Sequence, residues 1–276
     1  MDILLPSGRT IPNIGLGTWY MGESRSSRKQ EVAALRYGIE YGARLIDTAE
    51  MYGEGEAEKI VAEAMKGYRD QVYLVSKFYP YHAGKNDVIK ACERSLKRLN
   101  TDCIDLYLLH WMSTVPFEET LEALYQLQDE GKIKDYGVSN LDTDEFKHFC
   151  QVDVRGDCAT NQVLYNLAHR EPEWALKPYC DRRNISMMAY CPLDQGSLAK
   201  DPEIIDIARN HKATQAQICL AWLMAQKGVI AIPKSSHNVR VKENLDASLI
   251  ELTEEEMTLL DSRFPAPISS CSIAIR

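Results

Sequence analysis

The chain has 276 residues, of which 45% are hydrophobic and 26% are charged, and its formal net charge at pH 7 is -8. These proportions are typical of a soluble globular protein, and the length suits one large domain. The acidic balance argues against a protein that follows nucleic-acid phosphates, and the sequence contains neither an apolar run of transmembrane length nor a leader-like segment. We therefore expect a cytoplasmic protein that binds neither nucleic acid nor membrane.

The eight cysteines are scattered along the chain, at positions 92, 103, 150, 158, 180, 191, 219 and 271. None of them forms a CxxC pair, and no cysteine–histidine cluster has the spacing of a zinc site. The pattern predicts reduced thiols, as in cytosolic proteins, and no bound metal.

The predicted elements begin with a hairpin over residues 3–12, whose turn contains Ser7 and Gly8. From there strands and helices alternate. The predicted strands cover residues 14–19, 44–47, 72–77, 104–110, 136–139, 159–163, 185–190 and 228–232. The predicted helices cover residues 27–41, 56–66, 85–99, 117–130, 142–150, 173–182, 202–210, 214–226, 239–247 and 253–262.

Each of the eight strands after the hairpin is followed by at least one helix. This alternation predicts parallel strands with right-handed crossovers. Eight such units in this length favour a (β/α)8 TIM barrel, an α/β fold, over an open doubly wound sheet. No linker or low-complexity segment divides the chain, so we expect one domain over residues 1–276, with extra helices near its C-terminal end.

Most of the predicted strands end in a polar or titratable side chain. In a barrel of parallel strands these ends lie on one face, where barrel enzymes have their active sites. A single polar strand end would carry little meaning, but the repetition predicts a site at this rim. The strand-end residues are Asp47, Lys77, His110, Ser139 with Asn140, Gln162, Tyr190 and Lys234.

We interpret Asp47, Tyr52, Lys77 and His110 as a proton-donating catalytic site. A phenol, with a pKa of about 10, is a poor acid unless a cation stabilises its phenolate, and Lys77 could supply that cation. Asp47 would keep Lys77 charged, and His110 would hydrogen-bond a substrate oxygen. The alternative is a surface ion pair beside a tyrosine that packs a loop.

Phosphate binding is predicted late in the chain rather than at Gly15-Leu16-Gly17-Thr18-Trp19-Tyr20. Tyr20 occupies the position of the third glycine in a dinucleotide-binding GxGxxG motif, so we reject that motif. At residues 232–236 a strand ends at Lys234, and a helix carrying Arg240 follows. Amides at a helix start with two nearby cations form an anion site, although an exposed basic turn would have the same sequence.

Aromatic residues at the same rim could wall an apolar substrate pocket. Packing of the barrel top is the alternative for each of them. These residues are Trp19, Tyr20, Phe78, Tyr79 and Trp111.

Several long motifs, in the same order, resemble the aldo-keto reductase superfamily over nearly the whole chain. They are GLGTWYMG (15–22), DTAEMYGEGEAE (47–58), VSKF (75–78), SLKRLNTDCIDLYLLHW (95–111), EGKIKDYGVSN (130–140), NQVLYN (161–166), AYCPL (189–193) and IPKSSHNVRVKENL (232–245). The resemblance implies a (β/α)8 barrel whose N-terminal hairpin closes the barrel bottom. It also implies reduction of aldehydes and ketones to alcohols by hydride transfer from a nicotinamide cofactor, usually NADPH.

Matched by motif, Asp47, Tyr52, Lys77 and His110 correspond to the family's catalytic residues, with Tyr52 as proton donor. The cofactor residues carried over in the same way include three that hold the carboxamide, Ser139, Asn140 and Gln162, and one that stacks on the nicotinamide, Tyr190. Pro192, Leu193 and Ser197 lie in the loop along the diphosphate. Lys234, Ser235 and Arg240 correspond to contacts of the 2′-phosphate, and Glu243 and Asn244 to contacts of adenine. The remaining predicted cofactor contacts are Gly17, Thr18, Trp19, Asp47 and Ile232.

Departures from the family pattern concern the substrate and suggest a microbial-type member with short loops. Leu164 stands where many relatives have glutamate, the segment after residue 262 is short, and residues 194–201 are too few for a long strap over the cofactor. We expect a small-molecule carbonyl substrate, NADPH in preference to NADH, and a monomer. Two other functions stay open: a regulatory protein that binds NADP(H) without turnover, and an aldolase-like barrel with a Schiff-base lysine.

Overall fold

The computed structural model describes residues 2–276. An antiparallel hairpin comes first, formed by β1 (Asp2–Leu4) and β2 (Thr10–Pro12). The parallel strands that follow are β3 (Leu16–Gly17), β4 (Leu45–Asp47), β5 (Tyr73–Phe78), β6 (Ile104–Leu109), β7 (Ile133–Ser139), β8 (Thr160–Leu164), β9 (Ser186–Tyr190) and β10 (Val229–Ala231). They pair with one another in chain order from β3 to β10.

Helices lie between the strands as predicted. Between β3 and β9 each connection contains one, and the β9–β10 connection contains two. They are α1 (Arg28–Glu40), α2 (Glu56–Met65), α3 (Lys85–Leu99), α4 (Phe117–Asp129), α5 (Thr143–Val152), α6 (Leu176–Arg183), α7 (Pro202–His211), α8 (Gln215–Ala225), α9 (Asn238–Asp246) and α10 (Glu254–Arg263).

The sheet closes on itself where the segment around β3 meets β10. The Gly15 amide donates to Ala231 O at 2.9 Å, and the Gly17 amide donates to Pro233 O at 3.0 Å. A Cβ on Gly17 would lie 2.7 Å from Ile232 O, so the close approach at this seam requires glycine. The predicted (β/α)8 barrel is confirmed.

The barrel strands have an apolar layer on each face, because side chains alternate between the two faces of a strand. The larger layer lies between strands and helices. The inner layer fills the barrel and includes Leu45, Val75, Leu106 and Met188. Leu5 and Ile11 of the hairpin segment join the inner layer, which confirms that the hairpin lies at the barrel bottom.

The largest boundary differences from prediction are at β3, β7 and α6. The strand β7 begins at Ile133, three residues before its predicted start. The first barrel strand is regular over only two residues, although Ile14 still pairs with Ala231 across the seam. The start of α6 is three residues later than expected. A short 3-10 turn over Glu171–Glu173 contains Pro172 and precedes the helix. Arg170 also donates to both carboxylate oxygens of Glu173 at 2.7 Å, so Glu173 belongs to this turn and not to the helix.

Over residues 2–276, none of the helices combines the length and apolar character needed to span a membrane. Residues 264–276 form neither helix nor strand. This segment, which we call the tail, is nevertheless attached to the body of the protein. Arg170 donates to Phe264 O at 2.6 Å, and Ile273 is buried in the outer apolar layer.

Candidate active site

A buried ion pair joins the ends of two neighbouring strands. Asp47 is the last residue of β4, and Lys77 points into the barrel from β5. The Lys77 Nζ atom lies 2.8 Å from both carboxylate oxygens of Asp47 and 2.8 Å from Thr48 O. Burial lowers the pKa of Lys77, while the charge of Asp47 opposes that change. A buried ammonium persists only when it is paired in this way.

Tyr52 is held beside this pair by a turn with unusual backbone geometry. Gly53, Glu54 and Gly55 all have positive φ, at 55°, 53° and 90°. Lys77 Nζ donates to the Tyr52 hydroxyl at 3.4 Å and lies 4.9 Å from the centre of its ring. The turn therefore brings the phenol to the ammonium.

The pKa of Tyr52 lies well above its usual range, chiefly because the hydroxyl is buried and also because Asp47 is nearby. This direction is opposite to the lowering that we expected from Lys77. Burial and the charge of Asp47 outweigh Lys77, whose ammonium is already paired with both carboxylate oxygens of Asp47. Tyr52 is therefore a protonated hydroxyl and has a proton to donate.

His110 follows β6 and lies edge-on to Tyr52, with 5.8 Å between the ring centres. Burial lowers the pKa of His110 well below its usual range, and the charge of Lys77 adds to this effect. The imidazole is thus neutral and keeps one N–H to donate. Its Nδ1 atom is buried without a hydrogen-bond partner in the described part of the chain. The structure therefore brings the four predicted catalytic residues together.

A polar floor continues from these residues along the ends of β7, β8 and β9. Gln162 Nε2 donates to Asp47 Oδ1 at 2.8 Å, and Asn140 Nδ2 donates to His110 O at 3.2 Å. Ser139 Oγ donates to Gln162 O at 2.9 Å, and the Tyr190 hydroxyl donates to Asn140 Oδ1 at 2.9 Å. A hydroxyl, two primary amides and a phenol ring form a donor set that fits a planar aromatic carboxamide such as nicotinamide.

The predicted anion site lies at the end of β10 and the start of α9. Lys234 and Arg240 are exposed, and in the range 2–276 neither side chain has an ion-pair or hydrogen-bond partner. The first residue of α9 is Asn238, and no side chain caps that helix. Ser235 Oγ instead accepts the His237 amide at 3.1 Å. Unpaired cations beside free helix amides fit a phosphate group.

The other predicted cofactor residues frame the same rim. Thr18 is fully buried, and its Oγ1 donates to Asp47 O at 2.9 Å. Ile232 is buried at the barrel seam, next to Gly17. On α9, Asn244 is buried and Glu243 is partly buried.

Pro192, Leu193 and Ser197 belong to a loop after β9 that we define as the 191–197 loop. Three of its non-glycine residues have positive φ: Cys191 at 48°, Asp194 at 44° and Gln195 at 54°. Such strain persists only where the surrounding structure enforces it, and it concentrates at binding sites. The loop begins directly after Tyr190.

The aromatic residues are divided between two places at the rim. Tyr79 lies edge-on to Trp111 with ring centres 6.3 Å apart, and Trp111 lies 4.7 Å from His110. Trp19 and Tyr20 form a separate stacked pair at 4.4 Å. All four are at least partly exposed, as a pocket wall requires.

Phe78 does not line the rim, so this part of the sequence prediction is wrong. Lys77 points into the barrel, and its neighbour Phe78 therefore points outward to the helices. The Phe78 side chain is fully buried in the outer layer, 5.1 Å from the Tyr107 ring.

A buried charged cluster that was not predicted from the sequence lies behind the proposed catalytic residues. Glu58 of α2 is fully buried and accepts Ser76 Oγ at 2.7 Å and Arg98 Nε at 2.5 Å. Glu50 is also buried and accepts the Tyr79 amide at 2.8 Å. One sequence signal existed: Glu58 falls on the same helical stripe as apolar Val61 and Met65, where a carboxylate needs a partner.

Known proteins resemble this chain in sequence and in fold. The model of the aldo/keto reductase family matches residues 13–263. The methylglyoxal reductase YeaE of Escherichia coli (strain K12) is 49% identical over 263 residues, which cover 94% of this chain and 93% of YeaE. A glyoxal reductase of Bacillus subtilis (strain 168) is 32% identical over 260 residues, which cover 94% of this chain and 91% of that protein.

Among solved structures, an aldo/keto reductase from Klebsiella pneumoniae in complex with NADP and acetate has a TM-score of 0.96 to this chain. The two are 46% identical, and the match covers 100% of this chain and 99% of that one. Sequence and fold therefore agree over the whole length: the chain belongs to the aldo/keto reductase family.

Proposed function

We propose that this protein is an NADPH-dependent reductase that converts aldehyde or ketone carbonyls to alcohols. The observation that carries the proposal is the arrangement of Asp47, Tyr52, Lys77 and His110 around one point of the rim. It combines a protonated phenol, a paired ammonium and a neutral imidazole next to a floor that fits nicotinamide.

NADPH, when bound, supplies the hydride. Ser139, Asn140 and Gln162 would hold the carboxamide, and Tyr190 would lie against the ring. The unpaired cations Lys234 and Arg240 would hold the 2′-phosphate, which NADH lacks, so NADH should bind more weakly. The family relationship to a structure that contains NADP supports this assignment.

Tyr52 would donate its proton to the carbonyl oxygen as that oxygen becomes an alkoxide. A high phenol pKa is compatible with this role, because an alkoxide is a stronger base than a phenolate. Lys77 stabilises the phenolate that is left, and Asp47 keeps Lys77 charged and in position. The N–H of the neutral His110 would hydrogen-bond the same oxygen, which orients the carbonyl and stabilises the developing charge.

For the substrate, we infer that small α-oxoaldehydes are reduced. The support is the 49% identity to a methylglyoxal reductase and the further match to a glyoxal reductase. We also propose that the protein is a cytoplasmic monomer. A reaction through a Schiff-base lysine is disfavoured, because the Lys77 ammonium is buried in contacts with Asp47, Thr48 O and the Tyr52 hydroxyl.

The test is an activity screen with aldehydes, ketones, α-dicarbonyls and sugars, each with NADPH and with NADH. We expect turnover of methylglyoxal and of generic aromatic aldehydes with NADPH. Cofactor binding without any turnover would instead favour a regulatory role. Carbon–carbon bond cleavage with trapping of Lys77 by borohydride would favour an aldolase.

A further inference from the structure

Arg276, in the tail, lies against the 191–197 loop. Its Nη1 atom is 2.5 Å from Asp194 Oδ1, and its Nη2 atom is 3.2 Å from His169 Nε2. Its backbone N–H donates to the Tyr190 hydroxyl at 3.2 Å. One residue of the tail thus contacts both the residue that would stack on nicotinamide and the loop that would follow the diphosphate.

The surrounding structure fixes both partners of the contact between Arg276 and Asp194. Ile273 is buried in the outer apolar layer three residues before Arg276 and fixes the path of the tail. Asp194 is fixed in turn by a hydrogen bond from Ser197 Oγ. His169, which also faces Asp194 at 3.5 Å and Glu171 at 3.8 Å, is positioned by the turn after β8. The guanidinium therefore has a defined place above the loop.

The charges of Asp194 and Arg276 matter for an anionic ligand at the 191–197 loop. Burial alone would raise the pKa of Asp194, but its hydrogen bond with Ser197 and its pairing with Arg276 lower it, so the carboxylate is ionised. An unpaired carboxylate in this loop would repel a bound diphosphate. Arg276 neutralises it, and a guanidinium has five N–H groups, more than the two acceptors that it meets here. About one third of the Arg276 side chain is exposed, at 33%, so further acceptors can reach it.

We propose that Arg276 is a cofactor-binding residue whose guanidinium closes over the diphosphate of NADP(H) against the 191–197 loop. This inference rests on the cofactor placement given under Proposed function. Because residues 194–201 form only two short 3-10 turns, the tail would supply the cover that this loop is too short to provide. Arginine is well suited to the role, since its planar N–H groups pair with phosphate oxygens.

Arg276 and Arg240 would contact different parts of the cofactor. The diphosphate is common to NADPH and NADH, whereas the 2′-phosphate is present only in NADPH. Loss of the Arg276 guanidinium should therefore weaken both cofactors by the same factor. Loss of Arg240 should weaken NADPH alone.

The experiment is a titration of the intact protein with NADPH and with NADH, followed by quenching of tryptophan fluorescence, for wild type, Arg276→Gln and Arg276→Lys. We expect Arg276→Gln to weaken both cofactors about fivefold or more, the size of one partly exposed charged hydrogen bond. Arg276→Lys should recover part of the loss, because a cation is restored. The matched control is Arg263→Gln, which removes an exposed ion pair with Asp201 at 2.9 Å next to the tail and should bind like wild type.

Unchanged affinities in Arg276→Gln would overturn this inference, as would a loss confined to NADPH or a loss equally large in Arg263→Gln. If wild type bound neither cofactor, the proposed function itself would fail. Normal binding by wild type together with normal binding by Arg276→Gln would overturn the role of Arg276 and leave the proposed function intact.

Discussion

At the scale of single residues, the surroundings of Tyr52, the proposed acid, disfavour its phenolate. Its hydroxyl is buried near Asp47, and both features raise its pKa. That state suits reduction, in which the proton must stay on the phenol until the carbonyl oxygen becomes basic. In the proposed reaction Lys77, 3.4 Å away, would stabilise the product phenolate rather than the resting hydroxyl.

The first prediction is that Tyr52→Phe abolishes carbonyl reduction while the affinity for NADPH changes little. Loss of a positioned acid lowers rates by about a hundredfold to ten-thousandfold, and the proposed cofactor contacts lie on other strands. Steady-state kinetics and fluorescence titration measure the two effects. Tyr68→Phe, which removes a surface hydroxyl bonded to Glu40, is the control. Near-normal turnover in Tyr52→Phe would rule out this mechanism.

The second prediction concerns pH. Tyr52 stays protonated below its raised pKa, which lies above its usual value of 10.0, and His110 stays neutral above its lowered pKa, which lies below 6.5. Neither group changes charge between these limits. For an aldehyde that does not ionise, the rate of reduction at saturating NADPH should therefore show no transition from Tyr52 or His110 between pH 6.5 and 10. A fall at the alkaline end should instead follow loss of the charge on Lys77, whose pKa is lowered by burial.

Stopped-flow measurement with deuterated cofactor would show whether hydride transfer limits the rate across this pH range. A one-proton transition of a tyrosine inside this range in the ultraviolet absorbance of wild type, absent from Tyr52→Phe, would show that the phenol titrates there, contrary to the geometry. A transition in the rate profile that disappears in His110→Gln would show that the imidazole titrates there.

At the scale of elements, contacts among α2, α3 and β5 brace the turn that carries Tyr52. Arg98 of α3 donates to Glu58 of α2, and Glu58 in turn binds Ser76, the neighbour of Lys77. Arg98 also approaches Glu50 at 3.8 Å. A Cβ on Gly55 would lie 2.6 Å from the Arg98 side chain, so glycine at the end of the turn lets the arginine pass.

The third prediction is that Arg98→Met lowers both stability and turnover. It would leave the fully buried Glu58 without its cation, and breaking a buried pair in this way costs about 3–5 kcal/mol. Turnover should fall because the turn that carries Tyr52 loses its brace, while cofactor affinity should hold. Denaturant unfolding and steady-state kinetics provide the measurements.

Arg36→Met is the matched control, since the Arg36 guanidinium lies on the surface and donates only to backbone oxygens of residues 63 and 66. Its removal should change the free energy of unfolding by about 1 kcal/mol or less. Equal stability of the two variants would contradict the bracing role of Arg98.

At the scale of the whole molecule, the barrel brings the ends of distant segments to one rim and separates two tasks there. The proposed catalytic residues lie on β4, on the turn after it, on β5 and directly after β6, whereas the exposed cations Lys234 and Arg240 lie beyond β10. The closing seam between β3 and β10 makes these two groups part of one surface.

The fourth prediction is that the Michaelis constant is about tenfold lower for NADPH than for NADH. One charged hydrogen bond contributes about 1.5–3 kcal/mol, and exposure to solvent reduces that contribution. Arg240→Ala should remove most of this preference for NADPH by weakening NADPH and leaving NADH nearly unchanged. Titration with both cofactors measures this, with Arg209→Ala, an exposed arginine paired with Asp206, as control. Equal wild-type affinities for the two cofactors would refute the assignment of Arg240.

The sequence by itself determined the barrel and predicted which four residues meet as the proposed catalytic site. Strand and helix periodicities are local, and parallel strands in a barrel bring every strand end to the same rim, so Asp47, Lys77 and His110 could be placed together without coordinates. Tyr52 followed because glycines after it predicted a turn beside Asp47. These inferences needed only neighbours in sequence and one rule of topology.

Tertiary structure alone decided the rest. The burial of Phe78 depends on which face of β5 meets the helices, and the Glu58–Arg98 pair depends on how α2 packs against α3. The direction of the Tyr52 pKa depends on burial, which local patterns do not specify. Arg276 reaches Tyr190 across 86 positions of sequence, along a tail without regular structure. No periodicity constrains such a path, because only packing against residues far away in the chain determines where an irregular segment lies.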